Sequence, residues 1–180
     1  NKGEYYLLEV PVITGNSLKH WHFVHFIDIY RQLGGNDLCA YCIRGIGYRS
    51  PDKSKESEEE FIKTCAGEDV HGFLQPDVQV RRESLVKVAF AVPIEEMEEQ
   101  YLDTITHNRV IIDERGKIAT EGMMIFKRQY ASTVFGIAMT MNLGYAGRLL
   151  LDGSHKTVVS NDERIRRIKA AILAIIPMLS

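Results

Sequence analysis

The stretch His71–Val88, HGFLQPDVQVRRESLVKV, decides how the rest of the chain is read. A segment with Gly72 and Pro76 leads into two adjacent arginines, Arg81 and Arg82. An apolar run follows at once: Leu85, Val86, Val88, Ala89 and Phe90. The run predicts a strand over Ser84–Val92, ended by Pro93. A guanidinium holds phosphate bidentately and stays charged at any working pH. Adjacent residues of a strand point to opposite faces, so a regular strand aims only one arginine at a given groove. A loop or bulge would aim both. The plainer alternative is a surface ion pair with Glu83, which is worth little. Upstream, Gly72 permits close backbone approach to a ligand, and Phe73 can stack on a base. A turn with a packed phenylalanine is the simpler reading of the same residues.

Working outward, Tyr5–Ile13 (YYLLEVPVI) is apolar and β-rich and predicts a strand, with Pro11 marking a bend or an edge. Thr14, Asn16 and Ser17 are N-cap types, and Gly34-Gly35 is a stop signal. The helix between them is apolar nearly all round, through Leu18, Trp21, Phe23, Val24, Phe26, Ile27, Ile29, Tyr30 and Leu33, and is expected to be mostly buried. Its N-terminal amides can hold a phosphate, and Asn16, Ser17, Lys19 and His20 add polar groups there. An ordinary capped helix explains the same residues.

Residues 36–70 change character, mixing Gly, Pro and Ser with a dense acidic run, and read as an insertion with a mobile acidic tip. Residues 94–122 read as a second insertion, a surface loop or hairpin region. MMIFKRQY and STVFGIAMTMNLG look like successive strands, and RLLLD like a further short one. In the final helix Ser160 and Glu163 form a capping box. Ile165, Ile168, Ile172, Ile175, Ile176 and Leu179 repeat at helical spacing, opposite Arg164, Arg166, Arg167 and Lys169. The order of elements predicts an α+β fold in a single domain over 1–180. Its expected form is a modified ferredoxin-like, RNA-recognition-type core with an antiparallel sheet, packed helices and inserted loops or subdomains. One strand of that core would come from 148–159 or precede Asn1.

The 180 residues are 45% hydrophobic, enough for a core, and the net charge of -2 gives no global basic signature. An anionic partner must then be held by a local patch. No stretch reaches the roughly 20 apolar residues of a membrane span, and no signal peptide is visible, so the expectation is a cytoplasmic protein. Three cysteines, Cys39, Cys42 and Cys65, argue against a disulfide scaffold. Reduced thiols are the default, although Cys65 and His71 could complete a zinc set with Cys39-x-x-Cys42 if the insertion folds back. His20, His22 and His25 invite a metal reading that lacks clustered acids. No nucleophile elbow, phosphate-cradling loop or dinucleotide fingerprint is present. The expectation is therefore no cofactor, no metal and no catalytic residue.

Three blocks, roughly 10–33, 69–93 and 123–179, together resemble the DevR-type CRISPR-associated family. They are PVITGNSLKH with its apolar helix, DVHGFLQPDVQVRRESLVKVAFAVP, and ERIRRIKAAILAIIPMLS. Arg81, Arg82 and Ser84 match an arginine-pair motif at the start of a strand, with Glu83 where Ser or Thr is common. The resemblance implies the crRNA-binding backbone subunit of a type I, archaeal I-A-like Cascade complex. Such a subunit does not cleave RNA. It lines up with copies of itself and other Cascade subunits along CRISPR RNA, and presents the guide to target DNA. It also implies RNA-binding roles for Asn16, Ser17, Lys19, His20, His71, Gly72, Phe73, Arg81, Arg82 and Ser84. Two alternatives stay open: a DNA-binding transcriptional autoregulator, which lacks a helix-turn-helix signature here, and a metal-dependent nuclease using the histidines.

Overall fold

Thr14 starts the first helix: its hydroxyl accepts the Ser17 amide at 3.2 Å, satisfying one of the orphan donors of a helix N-terminus. The computed structural model describes residues 10–48, 52–95, 102–112 and 118–180. In chain order the elements are α1 (Gly15–Gln32), α2 (Glu58–Thr64), α3 (Ala66–His71), β1 (Phe73–Gln75), β2 (Val80–Arg82), β3 (Val86–Val88) and β4 (Val92–Pro93). There follow β5 (Leu102–Ile112), β6 (Ile118–Ala131), β7 (Phe135–Gly136), β8 (Met139–Met141), α4 (Asn161–Leu173) and α5 (Ile175–Met178). The fold is α+β, and every strand pairing among the described residues is antiparallel. None of the described helices is long and apolar enough to cross a membrane.

The chain divides into two compact units. One comprises 14–90 and 138–180. Its core joins Phe23, Phe26, Ile27 and Tyr30 of α1 to Cys42, Cys65, Ala66, Val70 and Val86, and to Ala170, Ala171 and Ala174. β1 pairs with β2, and β3 with β8. α1 ends as its glycines require: the Gly35 amide bonds the Tyr30 carbonyl at 2.9 Å. It is not buried all round, because Trp21 is 53% exposed.

The last helix is rotated relative to its sequence pattern. Ala170, Ala171 and Ala174 face the core, while Ile165, Ile172 and Ile176 are 41%, 50% and 73% exposed. Small alanines let α4 approach α1 closely, and the arginine at position 167 is drawn inside by acids that periodicity alone does not see. Glu163 makes only half of the expected box. Its amide bonds Ser160 Oγ at 3.2 Å, but its carboxylate is spent on Tyr30 and Arg167.

The second unit comprises the described parts of 1–13 and 91–137. The predicted strand Tyr5–Ile13 lies mostly outside the described residues; Ile13 makes a single bridge to Ala91. The predicted strand Ser84–Val92 is broken into β3 and β4, and Pro93 pairs with Phe135 instead of ending it. The stretch expected as a surface loop or hairpin region carries part of a long hairpin, β5 with β6, whose register shifts between Arg109 and Ile111. STVFGIAMTMNLG is likewise broken, into β7 and β8. Residues 148–159 supply only the bridge Arg148↔Thr157, not a strand.

Candidate nucleic-acid interface

The hairpin β1–β2 separates the two arginines. Phe73 pairs with Arg82 and Leu74 with Arg81, and alternation sends the two pairs to opposite faces. Arg81 and Leu74 are exposed, whereas Arg82 and Phe73 are buried. The Arg82 guanidinium uses all five of its N–H donors. Nε bonds the Asp69 carbonyl at 2.8 Å, one terminal nitrogen reaches Glu58 Oε1 at 2.7 Å and the Arg148 carbonyl at 2.8 Å, and the other reaches Asp69 Oδ1 at 2.7 Å and the Tyr145 carbonyl at 2.8 Å. The expectation of two phosphate-binding forks is corrected here: Arg82 has no donor left for a ligand, and Arg81 is the one presented.

Asp69 is the hub of the buried charges. One carboxylate oxygen bonds Arg82; the other accepts the Gly147 amide at 2.8 Å and Arg167 at 3.0 Å. Burial pushes the Asp69 carboxyl above its ordinary range, against the pull of both guanidiniums. Glu58, from the run expected to be a mobile acidic tip, is buried. It accepts Arg82 and the amides of Leu150 and Leu151. The run forms α2, and Ser57 and Glu60 give it a complete capping box. Arg167 also bonds Glu163 Oε1 at 2.8 Å and the Ile62 carbonyl at 2.8 Å. Burial works against charge on Glu163, yet bonds from Tyr30, Arg167 and Arg166 hold its carboxyl below the usual range.

His71 lies in the core, not on a ligand loop. Its Nε2 meets His22 Nδ1 at 2.9 Å, and His22 Nε2 meets the Ala171 carbonyl at 2.9 Å. A carbonyl only accepts, so His22 carries its proton on Nε2, and His71 donates to Nδ1. This arrangement keeps His71 out of any set with the cysteines. It also removes His22 from the three-histidine metal reading. Burial, the largest influence, lowers the His22 pKa below 6.5. The unfolded chain then binds a proton that the folded one refuses, so stability falls as pH drops below about 6.5. In urea titrations between pH 7.5 and 5.5, His22→Gln should lose part of this slope; an unchanged slope would assign it elsewhere.

Phe73 stacks on Phe61 with ring centroids 4.3 Å apart, so the packed-phenylalanine reading holds and base stacking there does not. Gly72 receives backbone from its own chain. A Cβ at this position would lie 2.5 Å from the Arg82 carbonyl oxygen and 2.7 Å from the Ser84 nitrogen. The Ser84 hydroxyl donates to the Val86 carbonyl at 2.7 Å.

The remaining expected residues are at the surface. Asn16, Ser17 and His20 are exposed and Lys19 is half-buried. α1 packs on β3, and its first residue, Gly15, lies against Val88 and Ala89. Glu83 bonds Lys87 at 2.7 Å. Lys87 holds the Glu83 carboxyl below its ordinary range, and Lys19 adds to that pull. Lys19, Arg81, Glu83, Ser84 and Lys87 thus mark a polar surface with three cationic side chains against one acid. Such groups can grip phosphates without reading bases.

Sequence reasoning missed Glu58, Asp69, Glu163 and Arg167. The available signal was indirect: a strand that aims one arginine inward demands a buried acid, and Gly67-Glu68-Asp69 lies just upstream of the hairpin.

The fold and surface define an α+β module that spends half of its arginine pair on architecture and presents the other half. The family profile described as CRISPR-associated negative auto-regulator DevR/Csa2 matches residues 1–180, and the chain belongs to that family. A protein of Thermoproteus tenax, described as CRISPR-associated protein Cas7/Cst2/DevR, is 42% identical, covering 96% of this chain and 56% of its own length. A protein of Methanocaldococcus jannaschii with the same description is 39% identical, covering 100% of this chain and 62% of its own length. The chain thus spans about three fifths of the length of these relatives.

Proposed function

We propose that this chain is the RNA-gripping part of a non-catalytic backbone subunit. It would oligomerise along guide RNA in a CRISPR interference complex and present the guide to target DNA. Family membership supplies the CRISPR context. The observation that carries the rest is the divided arginine pair: Arg81 stands exposed while Arg82 is consumed inside. Arg81, Lys19, Asn16, Ser17, His20 and Ser84 would hold phosphates and leave bases free to pair, as guide-directed recognition demands. Its partners would be CRISPR RNA, further copies of itself, other Cascade subunits and, through the guide, target DNA. The setting would be cytoplasmic, without a membrane.

The test is a salt-titrated binding assay with single-stranded RNA and duplex DNA of one sequence. Arg81→Ala should weaken RNA binding about equally across sequences. It should also reduce the salt slope by about 0.7 for each phosphate that the arginine neutralises. Its melting temperature should match wild type. An unchanged affinity and slope would remove Arg81 from the interface. Preference for duplex DNA would favour the autoregulatory role that the family's description carries.

A further inference from the structure

The three cysteines converge. Cys65, at the junction of α2 and α3, meets Cys39 and Cys42 of the preceding loop, and all three Sγ atoms lie within 4.8 Å of one another. No disulfide joins them; Cys42 and Cys65 are buried, and Cys39 is partly open to solvent. Cys39-x-x-Cys42 wraps a tight turn in which the Cys42 amide donates to Cys39 Sγ at 3.4 Å. Gly67 leaves the space they occupy, since a Cβ there would sit 2.9 Å from Cys42 Sγ. Among the described residues this is the group of three metal-ligating side chains close enough to share an ion.

Buried thiols also serve as small hydrophobes. Apolar packing, however, gives no reason for three sulphurs from two separate segments to point at one another. A tetrahedral zinc with Zn–S bonds near 2.3 Å sets its thiolates roughly 3.8 Å apart. The observed spacing reaches that with rotamer-scale adjustment. The geometry points to a zinc(II) site formed by the thiolates of Cys39, Cys42 and Cys65, its fourth position open on the Cys39 side to water or another donor. Binding displaces the three thiol protons to solvent, and no electron is transferred.

The site ties the loop after α1 to the α2–α3 junction. α2 carries Glu58 and α3 carries Asp69, so the metal braces the acids that hold Arg82. It thereby fixes the strand that displays Arg81.

The 180-residue chain, reduced and stripped of metal, is titrated with cobalt(II) as probe and then with zinc(II). One equivalent of cobalt should give near-ultraviolet thiolate charge-transfer absorption, which one equivalent of zinc abolishes. Zinc should protect all three cysteines from alkylation and raise the melting temperature. Cys39→Ser, at the partly open position, should weaken cobalt binding at least tenfold with unchanged circular dichroism. Cys65→Ser should abolish it. Absence of charge-transfer absorption from wild type would overturn the site. So would equal alkylation with and without zinc, or a Cys39–Cys42 disulfide seen as a loss of two hydrogens in the intact mass.

Discussion

Replacing Asp69 by alanine should cost roughly 3–5 kcal/mol of folding stability, the range for removing one partner of a buried ion pair. The side chain is fully buried and serves two guanidiniums and a backbone amide. Its removal leaves Arg82 and Arg167 inside with Glu58, Glu163 and, at 3.6 Å from Arg167, the half-exposed Asp37 to offset them. The penalty is the desolvation of cations left without sufficient counter-charge, more than the missing attraction itself. Asp69→Asn separates the two, because it keeps the shape and removes the charge. Urea denaturation should show a midpoint falling in the order wild type, Asn, Ala. A wild-type midpoint for Asp69→Ala would show that these charges are not buried together.

The second large effect is expected at Gly72. Its φ of 82° and ψ of 166° fall in a region that is essentially closed to other residues and costs on the order of 1–3 kcal/mol to occupy. The same position has backbone at 2.5 Å from where a Cβ would stand. The obstacle is main chain and cannot rotate aside, so overpacking adds a further 1–3 kcal/mol or so. Gly72→Ala should therefore lower the urea midpoint severely. A variant as stable as wild type would mean the hairpin does not close on α3 as described. Where folded protein survives, RNA affinity per folded molecule should be unchanged, because the space beside Gly72 is filled by the chain itself. A selective drop in affinity at wild-type stability would restore the ligand-approach reading.

Local signals carried well through the chain. The cap and stop of α1 were legible in Thr14 and Gly34-Gly35, and the α+β class in the order of elements. The alternation rule, applied to two arginines on one strand, already held the division between Arg81 and Arg82. The sequence did not reveal which arginine goes inward, because that is decided by acids brought in from α2, α3 and α4. Glu58 reads as one of a solvated run, yet two amides and Arg82 draw it inside. α4 misleads for the complementary reason. Its isoleucines repeat at helical spacing, but the close approach to α1 needs alanines, and the buried acids need Arg167. His71 and Phe73 sit in a loop-like stretch and are core residues, since the adjacent α3 is buried along its whole length. The cysteine trio was half legible: Cys39-x-x-Cys42 and Cys65 converge, while His71 is diverted to His22.

The divided pair also bears on how such a dipeptide changes among natural variants. Two identical letters at 81 and 82 answer to different demands. At 81 the proposed phosphate role asks for positive charge at a surface, which a lysine ammonium supplies. At 82 the requirement is a planar fork with five donors meeting five acceptors, and a lysine has three. Substitution by lysine is therefore permissive at the first letter and restrictive at the second. A family pattern written as two equivalent basic positions would merge a surface position with one fixed by the protein's own interior.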